Sequence, residues 1–172
     1  EKQVVEIRAA YTFVNRDSVS IDSIHLGSLS GIEPTDVKFD RKATGVVLDK
    51  KLSHYIYALQ QPLQPGGSLL LNLVVRREQS GFSNNGTNGL VVKNGTYFTN
   101  YKVLPTIGYQ RYRELNDPVL RKEHGLAARP AIPSLYDGDA RKRPLSTDQS
   151  LFGAVVGTAK DEVAVAPGAL KK

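Results

Sequence analysis

"SLLLNLVVRR" (68–77) contains the longest apolar run in the chain, and its reading decides the fold. The run is strand-length, because a bilayer span needs roughly 20 apolar residues. Leu69, Leu71, Leu73 and Val75 recur at every second position, the period that places side chains on one face of a strand. Leu70 and Val74 on the opposite side predict burial on both faces.

Working outward, "HYIYAL" (54–59) is rich in residues that favour strands. "QQPLQPGG" (60–67) reads as a turn forced by Pro and Gly, so 54–59 and 68–77 are expected to form a hairpin with a long loop. Upstream, "VVEIRAAYTFV" (4–14) alternates. Val5, Ile7, Ala9, Tyr11 and Phe13 share one face, and Glu6, Arg8 and Thr12 share the other. "NRDS" (15–18) is a turn, and "SIDSIHLG" (20–27) is a second strand ended by Gly27. Residues 28–50 read as a looser edge region broken by Gly31, Pro34 and Gly45.

Beyond Gly89, "LVV" and "TYFTNY" read as short strands around an Asn94–Gly95 turn. "ELNDPVLRKEHGL" (114–126) predicts a short helix with Asn116 or Asp117 as cap, Pro118 in its first turn and Gly125 as its stop. "AARPAIPSLYDGDARKRP" (127–144) is a Pro-rich excursion. "SLFGAVVGTAKDEVAVAPG" (150–168) returns to a β pattern with a turn near Lys160–Asp161. The expected fold is all-β: an antiparallel β-sandwich or saddle-shaped sheet with a short helical insertion. The expected organisation is a single β-domain over 1–172, with 110–148 as the irregular, helical insertion.

The 172 residues contain no Cys, which excludes disulfides, thiolate zinc sites and a Cys nucleophile. Met is absent too, including any initiator, which predicts a processed chain or a fragment of a longer one. The net charge is +6, but the basic residues are spread along the chain rather than clustered beside stacking aromatics. No nucleic-acid partner is therefore expected. A single-strand binder acting through Tyr97, Phe98 and Tyr101 is the reading that a salt-sensitive titration would reveal.

Catalytic motifs are missing. His25, His54 and His124 lack metal-site spacing, and there is no HExxH pair. "GFSNNGT" (81–87) lacks the Lys of a phosphate loop, and "GSLSG" (27–31) has Leu29 where a nucleophile elbow needs Ser. "DGD" (137–139) lacks the distal Glu of a calcium loop. Asn85 and Asn94 each open an Asn-Gly-Thr sequon. Such a site is a glycan acceptor in a secreted eukaryotic protein and also a favoured tight-turn pair.

The ordered set "YTFVN", "SIDSIHL" and "YIYALQQPLQPGGSLLLNLVVRRE" resembles the N-terminal β-domain of zinc aminopeptidases related to aminopeptidase N. The family's Leu-x-x-Pro-Leu-x-Pro-Gly turn matches Leu59 through Gly66. "NGTYFTNYKVLPTIGYQRYRELNDPVLRKEHGL" and "DEVAVAPGAL" resemble a narrower group, bacterial membrane proteins in which an ABC-transporter-type permease is fused to an aminopeptidase-like region. The family's two-His zinc helix, third-ligand Glu and Gly-x-Met-x-Asn stretch are missing, and these belong to its next domain.

The resemblance implies a non-catalytic β-domain, not an enzyme as this fragment, that packs on a zinc peptidase domain and helps wall the peptide cleft. No catalytic and no metal-binding residue is expected in this fragment, and zinc is expected only in the parent's next domain. The family's pocket-lining Gln aligns near Asn94, Gly95 and Thr96, with Leu104–Pro105 replacing its Phe-Pro. Those three residues are the substrate-pocket candidates. The expected partners are the rest of the same polypeptide and, in the parent, a peptide substrate. The membrane is reached only through the membrane-anchored parent. An apolar patch or open sheet edge near the C-terminus is expected, through which the isolated chain could dimerise. The alternative is an independent β-sandwich module that binds a protein or glycan.

Overall fold

The structure is a computed structural model that describes residues 4–28, 33–78, 91, 95–97, 99–110, 113–131, 133–142 and 150–169. The chain divides into two units, Glu1–Leu115 and Asn116–Lys172. Among the described residues there are seven strands in two antiparallel sheets, all within the first unit. The fold is all-β and sandwich-like, as the alternation predicts.

The first sheet has the order β1-β6-β3, formed by β1 (Val4–Val14), β6 (Ser68–Glu78) and β3 (Pro34–Phe39). β1 and β6 pair along their whole length, from Val4↔Glu78 to Val14↔Ser68. The second sheet has the order β4-β5-β2-β7, formed by β4 (Ala43–Asp49), β5 (His54–Leu63), β2 (Ile21–Gly27) and β7 (Thr106–Ile107).

Leu69, Leu71, Leu73 and Val75 of β6 are at most 2 % exposed, and they form one core cluster with Ile24, Leu26, Tyr55, Leu59 and Leu63 from the other sheet. Full burial of each such side chain contributes about 1.5–3 kcal/mol. The opposite face of β6 differs from the expectation. Leu70 is 37 % exposed and Val74 only half-buried, so β6 is covered on one side. β6 is central in its sheet, but that sheet has one core face and one solvated face.

The expected hairpin of 54–59 with 68–77 is not formed, because β5 and β6 belong to different sheets. β5 continues through Pro62 to Leu63. Pro62 is accommodated because pairing with β4 stops at Leu59, and the register with β2 breaks between Ala58 and Leu63, so no ladder donor is lost there. The turn is shorter than expected and sits at 64–67. There Gly66 takes φ +74°, a conformation that favours glycine, and its N–H donates to the Asn15 carbonyl at 2.8 Å. The Asn15 N–H in turn donates to the Gly67 carbonyl at 2.9 Å.

The looser region at 28–50 supplies β3 and β4, each an edge strand with one register shift. In the expected "TYFTNY" strand, Thr96, Tyr97 and Thr99 lie outside any strand, and the single turn α1 (Asn100–Val103) follows. α1 buries Val103 to 2 % exposure, and that apolar anchor outweighs the β propensity of the neighbouring aromatics.

In the second unit, α2 (Pro118–Glu123) is built as its sequence signals. The Asp117 carboxylate accepts from the N–H groups of Val119 and Leu120 at 2.8 and 3.0 Å. Gly125, at φ +66°, closes the helix, with the Gly125 N–H on the Lys122 carbonyl and the Leu126 N–H on the Arg121 carbonyl. α3 (Gly138–Lys142) lies within the Pro-rich excursion. The expected return to strands at 150–168 is not seen. Residues 150–169 are exposed and none is in a strand, although the turn at Lys160–Asp161 is present. Alternation predicts a strand only where a sheet edge is available to satisfy its backbone. Among the described residues no helix is long and apolar enough to cross a membrane.

Candidate functional site

The end of the second sheet near the β4–β5 turn gathers polar groups from four strands. The register places Asp49 of β4 beside His54 of β5, His54 beside Gly27 of β2, and Gly27 beside Thr106 of β7. His25 lies two residues along β2. Ile24, Leu26 and Tyr55 point into the core, so the pleat directs His25 and His54 to the outer face. Their rings are 5.7 Å apart, edge to face.

Gly27 leaves space that Arg113 fills. A Cβ at Gly27 would lie 3.1 Å from Arg113 Nη1 and 3.1 Å from Thr106 Oγ1. Arg113 Nη1 donates to the carbonyls of Ser53 at 3.2 Å and Leu52 at 3.4 Å, and Nη2 donates to the Ser28 carbonyl. The guanidinium therefore ties the β4–β5 turn to the end of β2. The Ser28 N–H donates to the Ser53 carbonyl at 2.9 Å, and Thr106 Oγ1 donates to the Gly27 carbonyl at 2.8 Å. Ser28 is 2 % exposed, and its buried hydroxyl has no hydrogen-bond partner among the described residues.

The electrostatics follow from this crowding. Burial pushes the His54 imidazole pKa below its ordinary value, and the neighbouring His25 and Arg113 lower it further, against the opposing pull of Asp49. Sequence reasoning missed this cluster because His25 and His54 are separated along the chain and meet only through the β2–β5 register. The available signal was the alternation of each strand, which places each His opposite its core-facing neighbours.

A second feature is a shallow concavity of about 570 Å³ on the outer face of the first sheet. Glu6, Arg8, Asp36, Lys38, Asn72 and Arg76 line it with mixed charge. Arg8 pairs with Glu6 at 3.0 Å and Arg76 with Glu78 at 3.8 Å. Asp36 has φ +51° and sits where the β3–β6 register slips.

Of the substrate-pocket candidates, Asn94 lies outside the described residues. Gly95 and Thr96 are exposed, and Gly95, at φ +147°, has none of the described residues within 4 Å of where a Cβ would sit. Neither lines the concavity. Tyr97 and Tyr101 are exposed, and Phe98 lies outside the described residues. Among the described residues no group of three or more His, Asp or Glu is placed to hold a metal ion. The zinc of the resembled family finds no ligand set in them. In comparisons with known proteins, no family model, no curated protein and no solved structure matches this chain.

Proposed function

We propose that this chain is a non-catalytic β-domain of an aminopeptidase N-like zinc metallopeptidase, of the bacterial type fused to a transporter permease. In that role it packs on the peptidase domain and helps wall the peptide cleft. Asn94, Gly95 and Thr96 would supply polar contacts there.

The observation that supports packing against a partner is exposed apolar surface. In the second unit Leu151, Val155, Val163 and Val165 are 87–106 % exposed. On the β4 edge, Val46 and Leu48 are each 57 % exposed. Apolar area left in water favours association by about 25 cal/mol per Å² once covered. The test is to mix the purified chain with the polypeptide encoded immediately downstream. A stable complex that acquires zinc-dependent hydrolysis of an aminoacyl-anilide, with the chain alone inactive, is the expected result. Hydrolysis by the chain alone would overturn the reading, and so would a reading frame that ends without a zinc helix.

The concavity on the first sheet favours a second reading, an independent module that binds a protein or glycan. Glycan-array binding abolished by Arg8→Ala and Asn72→Ala, with no downstream partner, would select it.

A further inference from the structure

The geometry points to an oxyanion site on the outer face of the second sheet, formed by His25, His54 and Arg113 and suited to a phosphate group. The guanidinium is pinned by three backbone carbonyls, and among the described residues no carboxylate pairs with it. A guanidinium has five N–H donors, so capacity remains after those contacts. The guanidinium lies over Gly27, His54 is the register partner of Gly27, His25 is two residues along β2 on the same face, and the two imidazole centroids are 5.7 Å apart. That spacing is compatible with an oxygen accepting one hydrogen bond of about 2.8 Å from each ring.

Arg113 and His25 lie close enough to His54 to disfavour its protonation. An anion between them would reverse that balance, because it rewards the imidazolium it touches. Asp49, across from His54 on β4, is the acidic group that opposes anion binding, and Thr106 on β7 adds a neutral hydroxyl to the row. A phosphate suits the cluster better than a metal cation, which the fixed charge of Arg113 would repel. Binding should tighten as the pH falls and the His54 imidazole takes up its proton.

The experiment follows the imidazole of His54 by NMR through a pH titration in sodium phosphate and in sodium chloride at matched ionic strength. Phosphate is expected to raise the His54 titration midpoint by about one unit, a tenfold gain in proton affinity. His25→Gln and Arg113→Lys, which keep a polar group or the charge, should each cut that gain severalfold while the remaining spectrum stays native. Sodium acetate serves as the control. A gain equal to that in phosphate would overturn the assignment to phosphate, and no gain in any anion would overturn the site. Glycerol phosphate and vesicles containing phosphatidic acid, run alongside, distinguish a free phosphate monoester from a lipid headgroup. A response to either supports the site.

Discussion

The side-chain amide of Asn15 donates to the backbone carbonyl of Leu63 at 2.9 Å, joining the end of β1 to the end of β5. The same Nδ2 donates to the Val19 carbonyl at 2.8 Å, and Oδ1 accepts from the Asp17 N–H at 3.0 Å. Asn15 is 2 % exposed, so every polar atom of its side chain is matched inside the protein. Asn15→Ala leaves buried carbonyls unmatched and should cost about 2 kcal/mol, read as a drop in the urea midpoint. Asn15→Asp should cost more at neutral pH, because it sets a carboxylate against those carbonyls. If Asp were the milder change, the amide would not be the donor that matters.

Leu70 and Leu71 are adjacent on β6 but face opposite sides, at 37 % and 0 % exposure. Leu71→Ala should destabilise by about 2–5 kcal/mol, the range for buried large-to-small changes. Leu70→Ala should cost well under half as much. Comparable losses in equilibrium unfolding would mean that the outer face of the sheet is covered.

The Asp40 carboxylate accepts from Arg41 Nε and from the Leu70 N–H, each at 3.0 Å, and these bonds hold its pKa below the ordinary value. The ionised form is thus favoured by folding. Its contribution is present above the unfolded carboxylate pKa of about 3.9 and is lost as the pH falls through the lower folded value. Asp40→Asn should flatten the acid limb of the stability–pH curve and leave the curve's shape above pH ~6 unchanged. An acid limb identical to that of the parent chain would contradict this assignment.

His54 has linkage of the same sign, in a higher pH range. Its folded pKa is lowered, so the unfolded chain binds the proton more readily, and stability declines as the pH falls from about 6.5 toward the folded value. His54→Gln should remove that decline in anion-free buffer. A decline that survives the substitution would place the titrating group elsewhere.

Gly27 and Arg113 should behave as a coupled pair. Gly27→Ala brings a Cβ to 3.1 Å from Nη1, and the guanidinium is held too firmly by its carbonyls to move freely. Each single change, Gly27→Ala or Arg113→Ala, should destabilise. The double variant should cost less than their sum by about 0.5–3 kcal/mol, the range for residues in contact. Strict additivity in a double-mutant cycle would show that the two do not share that space.

The strands were legible in the sequence wherever one face is buried. β1, β2 and β6 follow the alternation of Val5 to Phe13, of Ile24 and Leu26, and of Leu69 to Val75. The cap and stop of α2 were equally plain, because Asp117, Pro118 and Gly125 each act through local backbone geometry. Pairing was not legible. Leu59 through Gly66 looks like hairpin chemistry, yet the core residues on both sides of it pack against one another across the sandwich rather than side by side. Burial patterns report which face is inside, but not which sheet a strand joins. The His25–His54–Arg113 cluster was hidden for the same reason, since it exists only through the β2–β5 register and the missing side chain of Gly27. Exposed alternation at 150–168 carried no strand, because a hydrophobic period without a neighbouring edge leaves its backbone to water.

The β4–β5 connection is the one link between consecutive strands that stays within a sheet among the described residues. This ordering bears on synthesis. β1 pairs along its whole length with β6, so an emerging chain carries β1 without its partner until residue 78 has been added. At cellular elongation rates that interval is on the order of several seconds. During it Val5, Ile7, Tyr11 and Phe13 have no sheet to join, and the first sheet closes only after most of the second has been made. The nascent chain is therefore most vulnerable to off-pathway strand pairing before the ribosome reaches Leu69, and a shielding factor at that stage should raise the folded yield more than one added after release.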